Sequence, residues 1–204
     1  MNALLLATTN RHKLDEFRAI FSHLPFDLLS LADIQLDMDV EETGTTFLEN
    51  AELKAHAYAQ VSGMLSLADD SGLEIDALGG APGVYSARFM GVDTSYEERF
   101  RAILEQLQGL PLEQRTARFR SVISLAEPSG YARSVEGVIE GVIADAPRGT
   151  YGFGYDPIFL LPALGKTTAE LSPEHKNRIS HRGLAAAQAR QLLENWPLSP
   201  SSKE

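Results

Sequence analysis

The 204-residue chain has no cysteine, a single tryptophan, and only 18 Lys and Arg residues against 28 Asp and Glu. Without thiols there is no thiolate nucleophile, CxxC redox pair, Cys-zinc site or iron–sulfur cluster, and the composition suits a reducing compartment. The expected location is cytoplasmic. A formal net charge of −10 argues against binding nucleic acid polymers through the electrostatics of the whole surface. A small anionic ligand remains compatible, provided the few cations converge. No apolar run approaches the roughly 20 residues of a membrane span. Residues 3–7 are too short, and lack the basic leader, for a signal peptide. The length predicts one globular α/β unit over residues 1–196, with the Ser- and Pro-rich 197–204 expected to be a frayed, disordered tail.

Residues 3–7 are apolar throughout and predict a buried parallel strand. Leu14, Phe17, Ile20, Phe21 and Leu24 then recur at helical spacing, and 27–31 predicts a second strand, giving a β-α-β opening. Residues 33–46 are acidic and aperiodic, and read as a loop. Thr46 and Glu49 fit a capping box for a helix that Gly63 ends, with Asn50 and Lys54 one turn apart. The next strand is expected at 64–68, with Asp69, Asp70, Ser71 and Gly72 at its C-terminal end. Ser95 and Glu98 form a second capping box, opening a helix that Gly109 closes. Residues 116–126 and 133–143 predict an antiparallel hairpin that could form a second lobe. The segment 148–157 is too glycine-rich for regular structure, and 158–161 resumes a strand. Ser172 and Pro173 open a short helix carrying Lys176 and Arg178, Ser180–Gly183 interrupts it, and 184–196 forms the last helix.

Three places carry chemistry. The first is the strand-to-helix junction Thr8, Thr9, Asn10, Arg11, His12, Lys13, where free N–H groups, hydroxyls and an ammonium suit a phosphate; an N-cap with a solvated Lys fits as well. The second is Asp69-Asp70. Adjacent carboxylates repel unless a cation, a shared proton or divergent orientation relieves them. Mg²⁺ would do so, taking one or two carboxylates plus water and phosphate oxygens, with a second ligand from the acidic loop near Glu41; a polar turn with Asp69 facing solvent is the alternative. The third is Phe153-Gly154-Tyr155-Asp156, where an aromatic between glycines can offer a flat face to a base, or pack inward as part of an ordinary turn. His181 and Arg182 pose the same choice between reading a base edge and capping carbonyls. No nucleophile elbow, HExxH motif or zinc-ligand spacing is present, so covalent catalysis is not expected.

Taken together, Ala7-Thr8-Thr9-Asn10 with Lys13, Glu41-Glu42-Thr43-Gly44 with Phe47, Glu49-Asn50-Ala51 and Lys54, Ala68-Asp69-Asp70-Ser71-Gly72-Leu73, Gly79-Gly80-Ala81-Pro82-Gly83-Val84-Tyr85-Ser86-Ala87-Arg88, Gly152-Phe153-Gly154-Tyr155-Asp156-Pro157 and Ser180-His181-Arg182-Gly183 closely resemble the inosine/xanthosine triphosphate pyrophosphatases. The blocks match in order over nearly the whole chain. The resemblance implies a long twisted mixed β-sheet with flanking helices, two lobes with a central substrate cleft, and a homodimer. It implies Mg²⁺-dependent cleavage of dITP, ITP or XTP to the monophosphate and pyrophosphate. By the same resemblance Glu41 and Asp70 bind the metal, and Asp70 accepts the proton of the attacking water. Lys13, Lys54 and Lys176 neutralise the triphosphate, with Thr8, Thr9, Asn10, Arg11, His12 and Ser71 around it. Phe153, Gly154, Tyr155, Asp156, His181 and Arg182 hold the base and sugar, donors such as Arg182 meeting the O6 acceptor of hypoxanthine or xanthine. The family usually has Gly where Thr9 stands and a small residue where His12 stands. Two further readings follow from those departures and from kinship within the enzyme class: a silent purine-nucleotide-binding regulator, or a pyrophosphatase for modified pyrimidine nucleotides.

Overall fold

Leu4, Leu5 and Leu6 are fully buried, as their unbroken apolar run predicts, and their strand seeds a seven-stranded mixed sheet. In the computed structural model, which describes residues 2–196, the chain order is β1 (Asn2–Leu6), α1 (Arg11–Phe21), β2 (Phe26–Ser30), α2 (Phe47–Ser62), β3 (Ser66–Ile75), α3 (Tyr96–Gln106), β4 (Thr116–Ala126), β5 (Ala132–Ile143), β6 (Phe159–Leu161), β7 (Lys166–Thr167), α4 (Pro173–Ile179) and α5 (His181–Glu194). The tail expected at 197–204 lies outside the described residues. The strands are arranged β2-β1-β3-β4-β5-β6-β7. β1 runs parallel to β2 and β3, and every other pair is antiparallel.

Period-two alternation sorts the core onto the two faces of this sheet. On one face Leu4, Leu6, Leu67, Ile123 and Leu125 pack against Phe17 and Phe21 of α1 and Ala185, Ala186 and Ala189 of α5. Farther along that face, Leu73, Ile75, Ala117 and Phe119 meet α3 and the β6 region through Phe100, Ile103 and Phe159. On the opposite face Leu5, Ala7, Ala68 and Ala126 meet Ala55, Tyr58 and Ala59 of α2. The small side chains of α2 let that helix lie close to the sheet. Gly137 does the same for α5: a Cβ there would collide with the carbonyl oxygen of His181.

Three expectations are corrected. β3 does not stop at residue 68 but continues through Asp69, Asp70, Ser71 and Gly72, held by an antiparallel ladder from Ser66 opposite Ala126 to Ile75 opposite Ala117. The β4–β5 hairpin is not a separate lobe; its 11- and 12-residue strands are the centre of the sheet and serve both halves of the core. The last helix begins at His181 rather than 184, because the Ser180 hydroxyl caps it by accepting the Gly183 N–H at 3.1 Å.

The extension of β3 makes the cleft. β1 pairs with β3 only at Leu5–Ser66 and Leu6–Leu67, so the following residues of β3 run on past the end of β1. A crevice at the carboxyl end of a parallel strand, where a neighbouring strand continues, is a favoured ligand position in α/β sheets.

Candidate active site

Of the residues expected to form a site, all but Arg11 and His12 line one cleft of about 760 Å³. Its floor is β3. Alternation points the adjacent carboxylates to opposite faces of the sheet, so Asp69 meets α1 and α5 whereas Asp70 meets α2. Divergent orientation is therefore what relieves the pair.

Asp69 is deeply buried, and its Oδ2 stands 3.1 Å from Lys13 Nζ and 3.3 Å from Arg182 Nη2, and accepts the Ser71 hydroxyl at 3.1 Å. Burial alone would raise its pKa, but Lys13, Arg182 and Lys54 outweigh it and hold the carboxyl far below the ordinary range. Asp70 is compensated less. Its Oδ2 accepts from Asn50 Nδ2 at 3.1 Å, and its Oδ1 lies 3.5 Å from Lys54 Nζ. Burial pushes its pKa up; Lys54 and Lys13 oppose the rise, and Glu42 adds to it.

The supports on α2 follow from local sequence. The capping box forms, with Thr46 Oγ1 accepting the Glu49 N–H and Glu49 Oε2 accepting the Thr46 N–H, both at 3.1 Å. Asn50, one residue further, is fully buried and accepts the Gly44 N–H at 2.8 Å while donating to Asp70. Lys54, one turn on, pairs with Glu42 at 2.5 Å. Asp70, Asp69 and Glu42 together outweigh burial and hold this ammonium above its ordinary range. Arg88, from the segment Gly83–Arg88, reaches Glu42 from the other wall at 3.0 Å.

At the start of α1 the cap forms, but Lys13 is not solvated: it pairs with Asp69. Asn10 Oδ1 accepts the N–H groups of His12 at 3.0 Å and Lys13 at 3.2 Å, and Thr8 Oγ1 accepts that of Asn10 at 3.2 Å. Thr8, Thr9 and Lys13 remain on the cleft wall. Lys176 stands apart from Lys13 and Lys54. It belongs to the Phe153 end, bonded to Asp156 Oδ2 at 2.5 Å and Glu16 Oε1 at 2.9 Å, with Nζ 4.9 Å from the Phe153 ring centre.

Glu16 was not legible as a site residue, yet its second oxygen takes Arg182 Nη1 at 2.7 Å, so one carboxylate of α1 fixes donors from both α4 and α5. Burial would raise its pKa, but Arg182 and Lys176 lower it below the ordinary range. Its place three residues after Lys13, on the same side of α1, was the available signal. Glu42 and Asn50, both within the motif blocks, were given no site role from sequence.

His181 stacks on Phe119, with ring centres 4.7 Å apart and planes 16° apart. Burial, then Arg182 and Lys176, push its imidazole well below the ordinary range, so it is neutral, and its Nδ1 has no partner among the described residues. Arg182 Nε is similarly unpartnered. Two buried polar atoms without partners at one end of a cleft mark a place where a ligand can complete the hydrogen bonding. Phe153 donates its N–H to Asp156 Oδ2 at 2.8 Å, and Tyr155 turns into the core with its hydroxyl donating to the Ser86 carbonyl at 2.9 Å.

Among the described residues no three His, Asp or Glu side chains are grouped as a ready metal cage. What the cleft offers a cation is hard oxygen: Asp70, whose charge the protein leaves under-compensated, with Glu42 pressing on it and exposed Glu41 on the same wall. That donor set fits a small divalent ion that completes its shell with water and phosphate oxygens.

A Ham1 family profile matches residues 4–192. The chain is 47% identical over 194 residues to a dITP/XTP pyrophosphatase of Bacillus subtilis, covering 95% of this chain and 98% of that one. It is 51% identical over 201 residues to the dITP/XTP pyrophosphatase of Thermus thermophilus, covering 98% and 95%. The HAM1 protein structure from Coxiella burnetii superposes with a TM-score of 0.87 at 43% identity, covering 96% of this chain and 100% of that one. The Staphylococcus aureus Ham1 protein gives 0.86 at 41% identity with the same coverage. The chain belongs to the Ham1 family.

Proposed function

We propose that this protein hydrolyses the non-canonical purine nucleoside triphosphates dITP, ITP and XTP to the monophosphate and pyrophosphate, clearing them from the nucleotide pool. The observation that carries this reading is the division of one cleft into a carboxylate–lysine end, around Asp70, Lys54 and Lys13, and an aromatic, donor-rich end, around Phe153, His181 and Arg182. A triphosphate joined to a base has the same division.

In this reading Lys13 and Lys54, with Thr8, Thr9, Asn10 and Ser71, hold the triphosphate and stabilise the charge that grows on the leaving pyrophosphate. A carboxylate oxygen of Asp70 takes the proton of the water that attacks the innermost phosphorus. Asn50 fixes the orientation of that carboxylate through Oδ2. Asp70 and Glu41 would hold Mg²⁺, which would supply Lewis-acid polarisation of phosphoryl oxygens and lower the pKa of bound water. Asp69 is assigned no proton transfer, since its Oδ2 is committed to Lys13, Arg182 and Ser71.

Phe153 stacks on the purine, and His181 and Arg182 meet its polar edge, with Gly154, Tyr155 and Asp156 shaping the loop. Lys176 acts at this end, beside Asp156. An O6 acceptor would meet donors there, whereas the amino group of adenine would leave them unpaired in a buried place, which is costly.

Among the described residues no helix is long and apolar enough to cross a membrane. A cytoplasmic homodimer is part of the same proposal; the exposed apolar side chains Tyr85, Met90 and Val92, the last 76% exposed, are compatible with a second copy. Light scattering should give twice the chain mass.

The test is incubation with ITP, XTP, GTP and ATP plus Mg²⁺. The expected result is pyrophosphate release from ITP and XTP well above that from GTP and ATP. Comparable turnover of all four, or orthophosphate release, contradicts the proposal. Tight ITP binding without turnover at any Mg²⁺ concentration would identify a regulator instead.

A further inference from the structure

His12, expected beside the phosphates, is not on the cleft wall. Its imidazole lies over Phe153, ring centres 5.2 Å apart and planes 13° apart, an offset stack. Lys176 Nζ and Arg182 Cζ stand 4.9 and 5.5 Å from the centre of the same ring, and both do line the cleft. Phe153 thus has an exposed imidazole stacked on its ring and two cleft-lining cations within 5.5 Å of its centre.

We propose that His12 is a positioning residue for the purine base: its imidazole fixes the plane of the Phe153 ring, and so joins the start of α1 to the glycine-rich segment at the other end of the cleft. The inference rests on the reading of Phe153 as the base platform given above. Three features make the ring depend on such a clip. Phe153 sits between Gly152 and Gly154, both at positive φ, so its local backbone imposes little steric restraint. It is only half-buried and belongs to none of the hydrophobic clusters that lock other aromatics. Its backbone is anchored twice to Asp156, the N–H donating to Oδ2 at 2.8 Å and the carbonyl accepting the Asp156 N–H at 3.3 Å, which fixes the main chain and leaves the ring plane to its neighbours. The backbone of His12 is itself fixed, because its N–H donates to Asn10 Oδ1 at the helix cap. An imidazole carried on a fixed helix start therefore meets a ring on a permissive loop. The residue connects the phosphate-binding turn, two to four positions earlier, to the base platform without touching either end of the ligand.

The experiment compares wild type, His12→Ala and His12→Phe, each with its thermal midpoint recorded. KM and kcat for ITP are measured, together with inhibition by inorganic tripolyphosphate, which has the phosphates but no base. His12→Ala should raise the KM for ITP roughly 2- to 10-fold, the strength of one aromatic pair, with kcat changed less than about twofold. Tripolyphosphate inhibition should stay the same, and His12→Phe should restore the KM by restoring the stack. An unchanged KM in His12→Ala overturns the proposal. So does a parallel loss of ITP and tripolyphosphate affinity that Phe fails to rescue, since that would make His12 a phosphate contact. A wild type that binds ITP without turning it over fails the hydrolase reading alone, and the same three proteins are then compared by calorimetric Kd, with the same outcomes deciding for or against the clip. A wild type that neither binds nor cleaves ITP overturns both.

Discussion

Asp69 and Asp70 are neighbours in sequence and opposites in circumstance. Asp69 turns to the α1–α5 face, where two cations and a hydroxyl converge on one oxygen and hold it ionised. Asp70 turns to the α2 face, where an amide and a more distant ammonium leave it short of positive charge, and Glu42 worsens the deficit. The charge of Asp69 is compensated within the protein, although its buried Oδ1 has no hydrogen-bond partner among the described residues; the charge of Asp70 is not compensated. A carboxylate that folding buries without neutralising is a place where a ligand cation or a transferred proton can act.

Predictions that break or sharpen this contrast run from stability to local support. Asp69→Asn should be the most damaging to the fold, destabilising it by about 3–5 kcal/mol, because Lys13 loses its buried carboxylate partner and Arg182 keeps only Glu16. Chemical denaturation measures this, and a loss below about 1 kcal/mol would show that the cations relax to solvent. Glu16→Gln should act on substrate rather than on the fold, lowering kcat/KM for ITP roughly tenfold through misplacement of Lys176 and Arg182. Tripolyphosphate inhibition should persist in that variant. Thr46→Ala removes the cap of the helix that carries Asn50 and Lys54 and should cost about 1 kcal/mol, with a small effect on kcat.

The two carboxylates should also separate by pH. Because the pKa of Asp69 is lower in the folded state, its stabilisation is present above the ordinary carboxylate range and disappears as pH falls through the folded value. The sign reverses for Asp70. Its raised pKa means that the folded state holds the proton more tightly, so stability is lost as pH rises from the ordinary range through the folded value. Thermal midpoints of Asp70→Asn and wild type should therefore converge in acid, with the variant at least as stable at neutral pH.

How far the sequence revealed this can be traced residue by residue. Both capping boxes, the buried first strand and the antiparallel hairpin were legible because each rests on local periodicity or on side chain–backbone bonds a few residues apart. The continuation of β3 through Asp69–Gly72 was not: its composition is that of a turn, and only the ladder with β4, some 50 residues away, makes it a strand. The same distance hid the role of Glu16. A carboxylate on a helix ordinarily faces water, and its partners Lys176 and Arg182 lie more than 150 residues later. The resemblance put Lys176 among the phosphates, whereas its ammonium is paired with Asp156 and Glu16. His12 was misplaced for a similar reason, since it neighbours Lys13 in sequence but turns to a loop 141 positions away.

The contrast at β3 meets its most direct test in the rate of pyrophosphate release from ITP by Asp70→Asn, measured on protein shown by circular dichroism to be folded. A fall of at least about a thousandfold, with no loss of thermal stability, is predicted, because the variant keeps the shape but loses both the proton acceptor and the under-compensated charge. Activity within tenfold of wild type, or a collapse of the fold like that expected for Asp69→Asn, would contradict it.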